Sequence, residues 1–192
     1  MSTLIIRNAR IANSDGSLAD GDVYCVDHRI EKIAASIDKN AKSEIDANGL
    51  TLLPGAIDPQ VHFREPGNEH KEDLGSGSRA AVRGGVTSFL EMPNTSPSTT
   101  NQAALDEKLA RAATKCVANY GFFIGATPNN LDDLNTVSPA CGIKIFMGSS
   151  TGSLLVNEEK DLDRIFGNGD RLIAVHAENE ARINARKAEF AG

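Results

Sequence analysis

The sequence contains no tryptophan and only 5% aromatic residues, so it offers few ring platforms on which single-stranded bases would stack. It also lacks a basic excess. The formal net charge is -6 and no lysine–arginine cluster is present to follow a phosphate backbone, which excludes nucleic acid from the expected partners. No apolar run approaches the roughly 20 residues that span a bilayer. The opening Met1-Ser2-Thr3-Leu4-Ile5-Ile6-Arg7 has neither the basic start nor the long apolar stretch of a secretory signal. A cytoplasmic location with no membrane partner is the resulting expectation. Cysteine is scarce: Cys25, Cys116 and Cys141 are odd in number and widely spaced, with no CxxC. They read as reduced, mostly buried thiols rather than a disulfide framework or a zinc cage.

What is present is the composition of an ordinary globular protein, with 40% hydrophobic and 24% charged residues among 192. Two textures divide it. Residues 1–55 read as short strands joined by turns, and so as the N-terminal part of a small β domain. From 56 to 192 the pattern becomes strand, loop, helix, repeated. Strands are expected at 57–63, 87–92, 119–126, 142–147 and 172–177, and helices at 74–83, 102–117, 131–137, 158–166 and 180–190. Five β-α units in succession imply a parallel sheet with helices outside it. A doubly wound sheet and a (β/α)8 barrel both satisfy that pattern. The polar residues gather at successive strand ends: His62 and Arg64, then Asn94, Lys144, and His176 with Glu178. Barrel enzymes build their sites from those ends, which favours the barrel and implies that strands six to eight lie outside this chain.

Each of these residues carries chemistry and also has a plainer reading. Along a strand Asp58, Gln60, His62 and Arg64 share one face, with Val61 and Phe63 toward the helices. An inward histidine there is either a first-row metal ligand or a hydrogen-bonded imidazole. His176, ending an otherwise hydrophobic strand, has the same two readings. Lys144 stands inside the apolar run Gly142-Ile143-Lys144-Ile145-Phe146, where an unpaired ammonium is costly. It either pairs with a buried carboxylate such as Asp58, or its amine is desolvated enough to react with carbon dioxide. Asn94 follows Pro93 as a turn former at the sheet's mouth.

Taken together, these blocks resemble a known family. Asp58-Pro59-Gln60-Val61-His62-Phe63-Arg64-Glu65-Pro66-Gly67, with Glu69-His70-Lys71-Glu72-Asp73 after it, is similar to the signature following the first barrel strand of dihydroorotases, cyclic-amide hydrolases of the amidohydrolase superfamily. Glu91-Met92-Pro93-Asn94-Thr95, Lys144-Ile145-Phe146-Met147-Gly148 and Val175-His176-Ala177-Glu178 match its later blocks in order. The resemblance covers essentially the whole chain.

It implies a (β/α)8 TIM-like metal-dependent hydrolase barrel, of which this chain holds about the first five units. It implies one or two Zn2+ ions and the interconversion of dihydroorotate and N-carbamoyl-aspartate in pyrimidine biosynthesis. His62 and His176 would be metal ligands, Lys144 the carbamylated ligand, and Arg64 and Asn94 the groups binding the substrate carboxylate. The family's catalytic aspartate and a further histidine ligand would lie beyond Gly192, so the chain alone is expected to be inactive and prone to aggregate at its open sheet edges. The full-length protein is expected to be a homo-oligomer. The family's first strand carries His-x-His, but here Gln60 replaces the first histidine, and its amide oxygen is a weaker zinc ligand. Two alternatives stay open: an allantoinase- or hydantoinase-type hydrolase, and a non-catalytic scaffold partnering aspartate transcarbamoylase.

Overall fold

Strand β1 (Thr3–Ala12) organises the N-terminal unit of the computed structural model, which describes residues 1–148 and 152–190. It pairs antiparallel with β2 (Leu18–Val26) and parallel with β4 (Ser43–Asp46) and β5 (Thr51–Leu52); β3 (Arg29–Ala34) closes the far side of β2. The register of β1 against β2 slips between Ile6 and Ala9, where Asn8 adopts a φ of 54°. Asparagine tolerates this left-handed conformation because its short amide bonds locally, and Asn8 Nδ2 donates to Asp46 Oδ1 at 2.9 Å. The extra residue changes the phase of β1. Ile6, Ala9 and Ile11 pack with Val23 and Ala47, whereas Ile5 packs with Tyr24 and Ile37. Val23 and Tyr24 are neighbours on one strand, so the two clusters lie on opposite faces of the sheet.

Buried Asp22 fastens the slip. Its carboxylate accepts from the amides of Asn8 and Ile37, each at 3.0 Å, and faces Arg7 Nη1 at 3.4 Å. These interactions, the Asn8 amide first, hold the Asp22 carboxyl below the usual range against the opposing effect of burial.

The chain divides into the units Met1–Pro54 and Gly55–Gly192. In the second, β6 (Ala56–Val61), β7 (Val86–Glu91), β8 (Asn119–Gly125), β9 (Gly142–Phe146) and β10 (Ile173–His176) form one parallel sheet in strict chain order. Between and after them come α1 (Leu74–Arg83), α2 (Gln102–Lys115), α3 (Leu131–Thr136), α4 (Glu159–Phe166) and α5 (Glu180–Glu189), with a 3₁₀ turn at Gly152–Leu154. A doubly wound sheet requires a point at which strand order reverses; none occurs among the described residues, and the five strands form half of a barrel wall.

Local chemistry sets the element ends. Asp73 caps α1 by accepting from the amides of Gly75 and Ser76, and Asn101 caps α2 through the amide of Ala104. Strand β6 stops at Val61, two residues short of the expected 63. Asp58 Oδ1 turns back to the Gln60 amide at 3.0 Å, the register against β7 is irregular from Asp58 to Val61, and Arg64 takes a φ of 65°.

The core lies between sheet and helices. Phe89, Phe122, Ile124, Ile143 and Ile145 meet Leu74, Leu105, Ala112, Leu134 and Ile165. Phe63 stays on that side, edge-on to Phe89 at 4.8 Å and over Gly77 of α1, where a Cβ would strike its ring. Alternation puts Phe123, Lys144 and Phe146 on the opposite face. Strands β6 and β10 are the edges of the described sheet and expose Ile57 and Val175. The three cysteines are free and only partly buried, less sheltered than expected. Among the described residues no helix is long and apolar enough to cross a membrane.

The Asp22 contacts give a stability prediction. Asp22→Ala removes two amide hydrogen bonds to a charged group and should cost roughly 2–4 kcal/mol by urea denaturation. Because the folded-state pKa is depressed, this contribution is complete above the unfolded carboxylate value of about 3.9 and disappears as pH falls through the lower folded value. The difference between wild type and Asp22→Ala should therefore be constant near neutrality and shrink only in acid.

Candidate active site

The loop after β6 carries His62 and Arg64, the loop after β7 carries Asn94, Lys144 is the middle residue of β9, and His176 ends β10. The two first loops are tied together. The Ser96 amide donates to the Pro66 carbonyl at 2.9 Å, and Gly67, with a φ of 98°, lies so close to Ser96 that a Cβ would collide with it.

His62 Nδ1 lies 2.8 Å from Asn94 Oδ1. An amide oxygen only accepts, so Nδ1–H donates and the lone pair resides on Nε2, the form in which imidazole binds a metal. Burial, foremost, together with the charges of Arg64, Lys144 and Lys108, pushes His62 below the ordinary histidine value; the Asn94 bond acts the other way but does not prevail. Burial and these charges favour the neutral imidazole, and the Asn94 contact favours the form with Nδ1–H directed at the amide oxygen.

Lys144 is 1% exposed. Among the described residues no carboxylate lies within ion-pair distance of it, so the pairing with Asp58 weighed from the sequence does not form; the Asp58 carboxylate caps the Gln60 amide instead. Its ammonium sits 5.2 Å from the centre of the Phe146 ring, and burial lowers its pKa. The same ring stacks on His176 at 6.1 Å, while His176 Nε2 lies 3.0 Å from Glu178 Oε1. Arg64 is partly buried, and among the described residues its guanidinium has no hydrogen-bond or ion-pair partner.

Do these donors suit a divalent ion? Among the described residues no group of three or more His, Cys, Asp or Glu side chains is arranged to hold one. Two imidazoles and a buried amine with no counter-ion among the described residues are available. The set fits a metal when the amine is carbamylated, since that change supplies the anionic oxygens that are otherwise lacking. His176 would have to exchange its contact with Glu178 for the ion. Gln60 is exposed.

Two buried carboxylates escaped the sequence reading. Glu65, fully buried, accepts from the Leu74 amide at 3.0 Å and pairs with Lys115 at 2.5 Å and Arg111 at 3.4 Å, fixing the loop behind Arg64 to α1 and α2. Glu91 and Lys108 form an ion pair at 3.1 Å, both at most 1% exposed. The second was detectable: Leu105, Lys108 and Ala112 fall on one helical stripe, and Glu91 shares the outward face of β7 with Phe89.

Residues 51–191 match the family described as the Amidohydrolase family, and the chain belongs to it. Its relatives include a dihydroorotase of Halobacterium salinarum, 38% identical over 180 residues that cover 88% of this chain and 42% of that protein. An allantoinase of Solibacter usitatus is 36% identical over 202 residues, covering 100% of this chain and 44% of that protein. The solved L-hydantoinase (dihydropyrimidinase) from Arthrobacter aurescens superposes with a TM-score of 0.89 at 30% identity, covering 100% of this chain and 45% of that one. The chain spans less than half the length of these relatives.

The His62–Asn94 bond is testable by itself. Asn94→Leu removes the acceptor, so the imidazole nitrogens of His62 should change from a single Nδ1–H tautomer to a mixture in nitrogen-15 NMR spectra of metal-free protein. A spectrum unchanged by the substitution would show that Asn94 does not select the tautomer.

Proposed function

We propose that the full-length protein is a zinc-dependent cyclic-amide hydrolase that interconverts dihydroorotate and N-carbamoyl-aspartate, a step of de novo pyrimidine synthesis. The observation that carries this reading is the guanidinium of Arg64, without a partner among the described residues, beside His62, whose Nδ1 faces the Asn94 oxygen. A guanidinium fork suits the planar carboxylate of that substrate. Asn94 spends its oxygen on His62 and keeps its amide hydrogens for the same carboxylate. The substrate would then be oriented with its ring amide toward the inner face that bears Lys144.

In this reading His62, through Nε2, His176 and carbamylated Lys144 hold the zinc. Desolvation favours the neutral amine of Lys144, the form that adds to carbon dioxide and releases a proton as the carbamate forms. When bound, zinc supplies an acidified water and polarises the scissile carbonyl. Gln60 would leave one of two zinc positions weakly held, and a single ion is sufficient for this chemistry.

A second reading, an allantoinase- or hydantoinase-type hydrolase, draws support from the relatives so named, which match over all of this chain. Both readings share the class of bond broken and differ in whether the substrate presents a carboxylate to Arg64.

Assays of the full-length protein on L-dihydroorotate, allantoin and hydantoin, with and without added zinc, separate them. Zinc-dependent turnover of dihydroorotate is expected, abolished in Lys144→Ala. Arg64→Gln should raise KM for dihydroorotate about 10- to 100-fold, the equivalent of a lost charged hydrogen bond. Turnover of hydantoin or allantoin but not dihydroorotate would move the second reading to the front. No turnover of any of the three in folded, zinc-supplied protein would sink the catalytic reading and leave a scaffold for aspartate transcarbamoylase.

A further inference from the structure

Lys108 lies on the buried stripe of α2 with Leu105 and Ala112, against Phe122 of β8, whose ring centre is 5.2 Å from its ammonium. A leucine there would serve the core at least as well, since well-packed apolar residues often equal or exceed a buried ion pair in stability. The pair is also imperfectly satisfied: neither Glu91 carboxylate oxygen has a well-aligned hydrogen bond among the described residues. Stability therefore gives little reason for these two charges.

Their position gives a better one. Beyond facing Glu91, Lys108 Nζ donates to the Met92 carbonyl at 3.3 Å. Only Pro93, whose ring fixes φ, separates Met92 from Asn94. The direction in which the chain leaves β7, and with it the aim of the Asn94 amide, is set at that carbonyl. On its other side the same ammonium faces the Glu91 carboxylate at 3.1 Å, so the last residue of β7 fixes where the Lys108 donor sits. One buried pair thus holds the backbone carbonyl just before Pro93 and Asn94, at the Asn94 end of the His62–Asn94 bond. The Pro93 carbonyl, accepting from the amides of Thr95 and Thr99, holds the following loop in the same place.

We infer that Glu91 and Lys108 are positioning residues which, from the helix side of the sheet, set the Asn94 amide and through it the tautomer and aim of His62. The inference rests on the proposed hydrolase reading for its kinetic arm only; its spectroscopic arm is independent of any substrate.

The test compares Lys108→Met, Glu91→Gln and the double variant in the full-length protein, by urea denaturation, nitrogen-15 NMR of the His62 ring and kcat/KM. Lys108→Met leaves Glu91 without its counter-charge and should be destabilised, whereas the double variant, with no buried charge, should regain wild-type stability. The double variant should nevertheless show mixed His62 tautomers, together with a kcat/KM reduced about 10- to 100-fold, the scale of a small misplacement in a site. Wild-type stability accompanied by the wild-type His62 spectrum in the double variant would overturn the inference and leave the pair a purely structural element. Glu91→Gln, nearly isosteric with the native side chain, decides the matter if the double variant does not fold: a disturbed His62 spectrum supports the inference and an unchanged one overturns it. If wild-type protein turns over no cyclic amide, the hydrolase reading fails while the His62 spectra still decide the positioning role.

Discussion

An amine enclosed in the middle of a parallel strand, with no carboxylate beside it among the described residues, is the constraint around which the barrel unit is arranged. Lys144 and Lys108 make the contrast plain. Both are almost completely buried, and burial lowers the pKa of both. Lys108 has Glu91 at 3.1 Å; Lys144 has an aromatic ring and a neighbouring neutral imidazole. A fold that needed only stability would pair both lysines or bury neither. An amine without a counter-ion among the described residues, on the face opposite the helix-packed core, makes sense when something else supplies the missing charge balance.

The surroundings of that amine are held from behind. Glu65 pins the loop bearing Arg64 to two helices, and Asp73 caps the first of them. Phe63 is wedged between Phe89 and Gly77, so the residues on either side of it have little freedom to wander. The left-handed backbone of Arg64 turns its side chain away from the strict alternation of the strand, a distortion that a non-glycine residue keeps only where neighbouring contacts enforce it. Side chains of modest size and ordinary chemistry are in this way given fixed directions.

Much of this architecture was legible in the sequence, and the reason is local. The repeated strand, loop and helix texture located all five β-α units, α1 to the residue, and the polar residues at strand ends were visible at the close of apolar runs. Less legible was whatever depends on contacts between distant segments. The phase change at Asn8 requires knowing that Asp22 and Asp46 arrive beside it. The early end of β6 and the left-handed Arg64 arise from Asp58 capping its own chain and from loop contacts, neither of which leaves a periodic trace. Glu65 looks like an ordinary surface carboxylate in the sequence, because its partner Lys115 is fifty residues away, whereas Glu91 betrays itself only by sharing a strand face with Phe89. For the candidate site, the positions were readable but their relations were not. That Asn94 spends its oxygen on His62, and that Lys144 has no counter-ion among the described residues, are facts of geometry.

The stitching of Pro66 and Gly67 to Ser96 has a kinetic meaning. With the Ser96 amide hydrogen-bonded to the Pro66 carbonyl and no room for even a methyl group between Gly67 and Ser96, the stretch holding His62 and Arg64 is tied to the stretch holding Asn94. This sector of the mouth behaves as one plate. A ligand approaching this sector would meet a wall whose two loops are already joined, so that a movement of one carries the other with it.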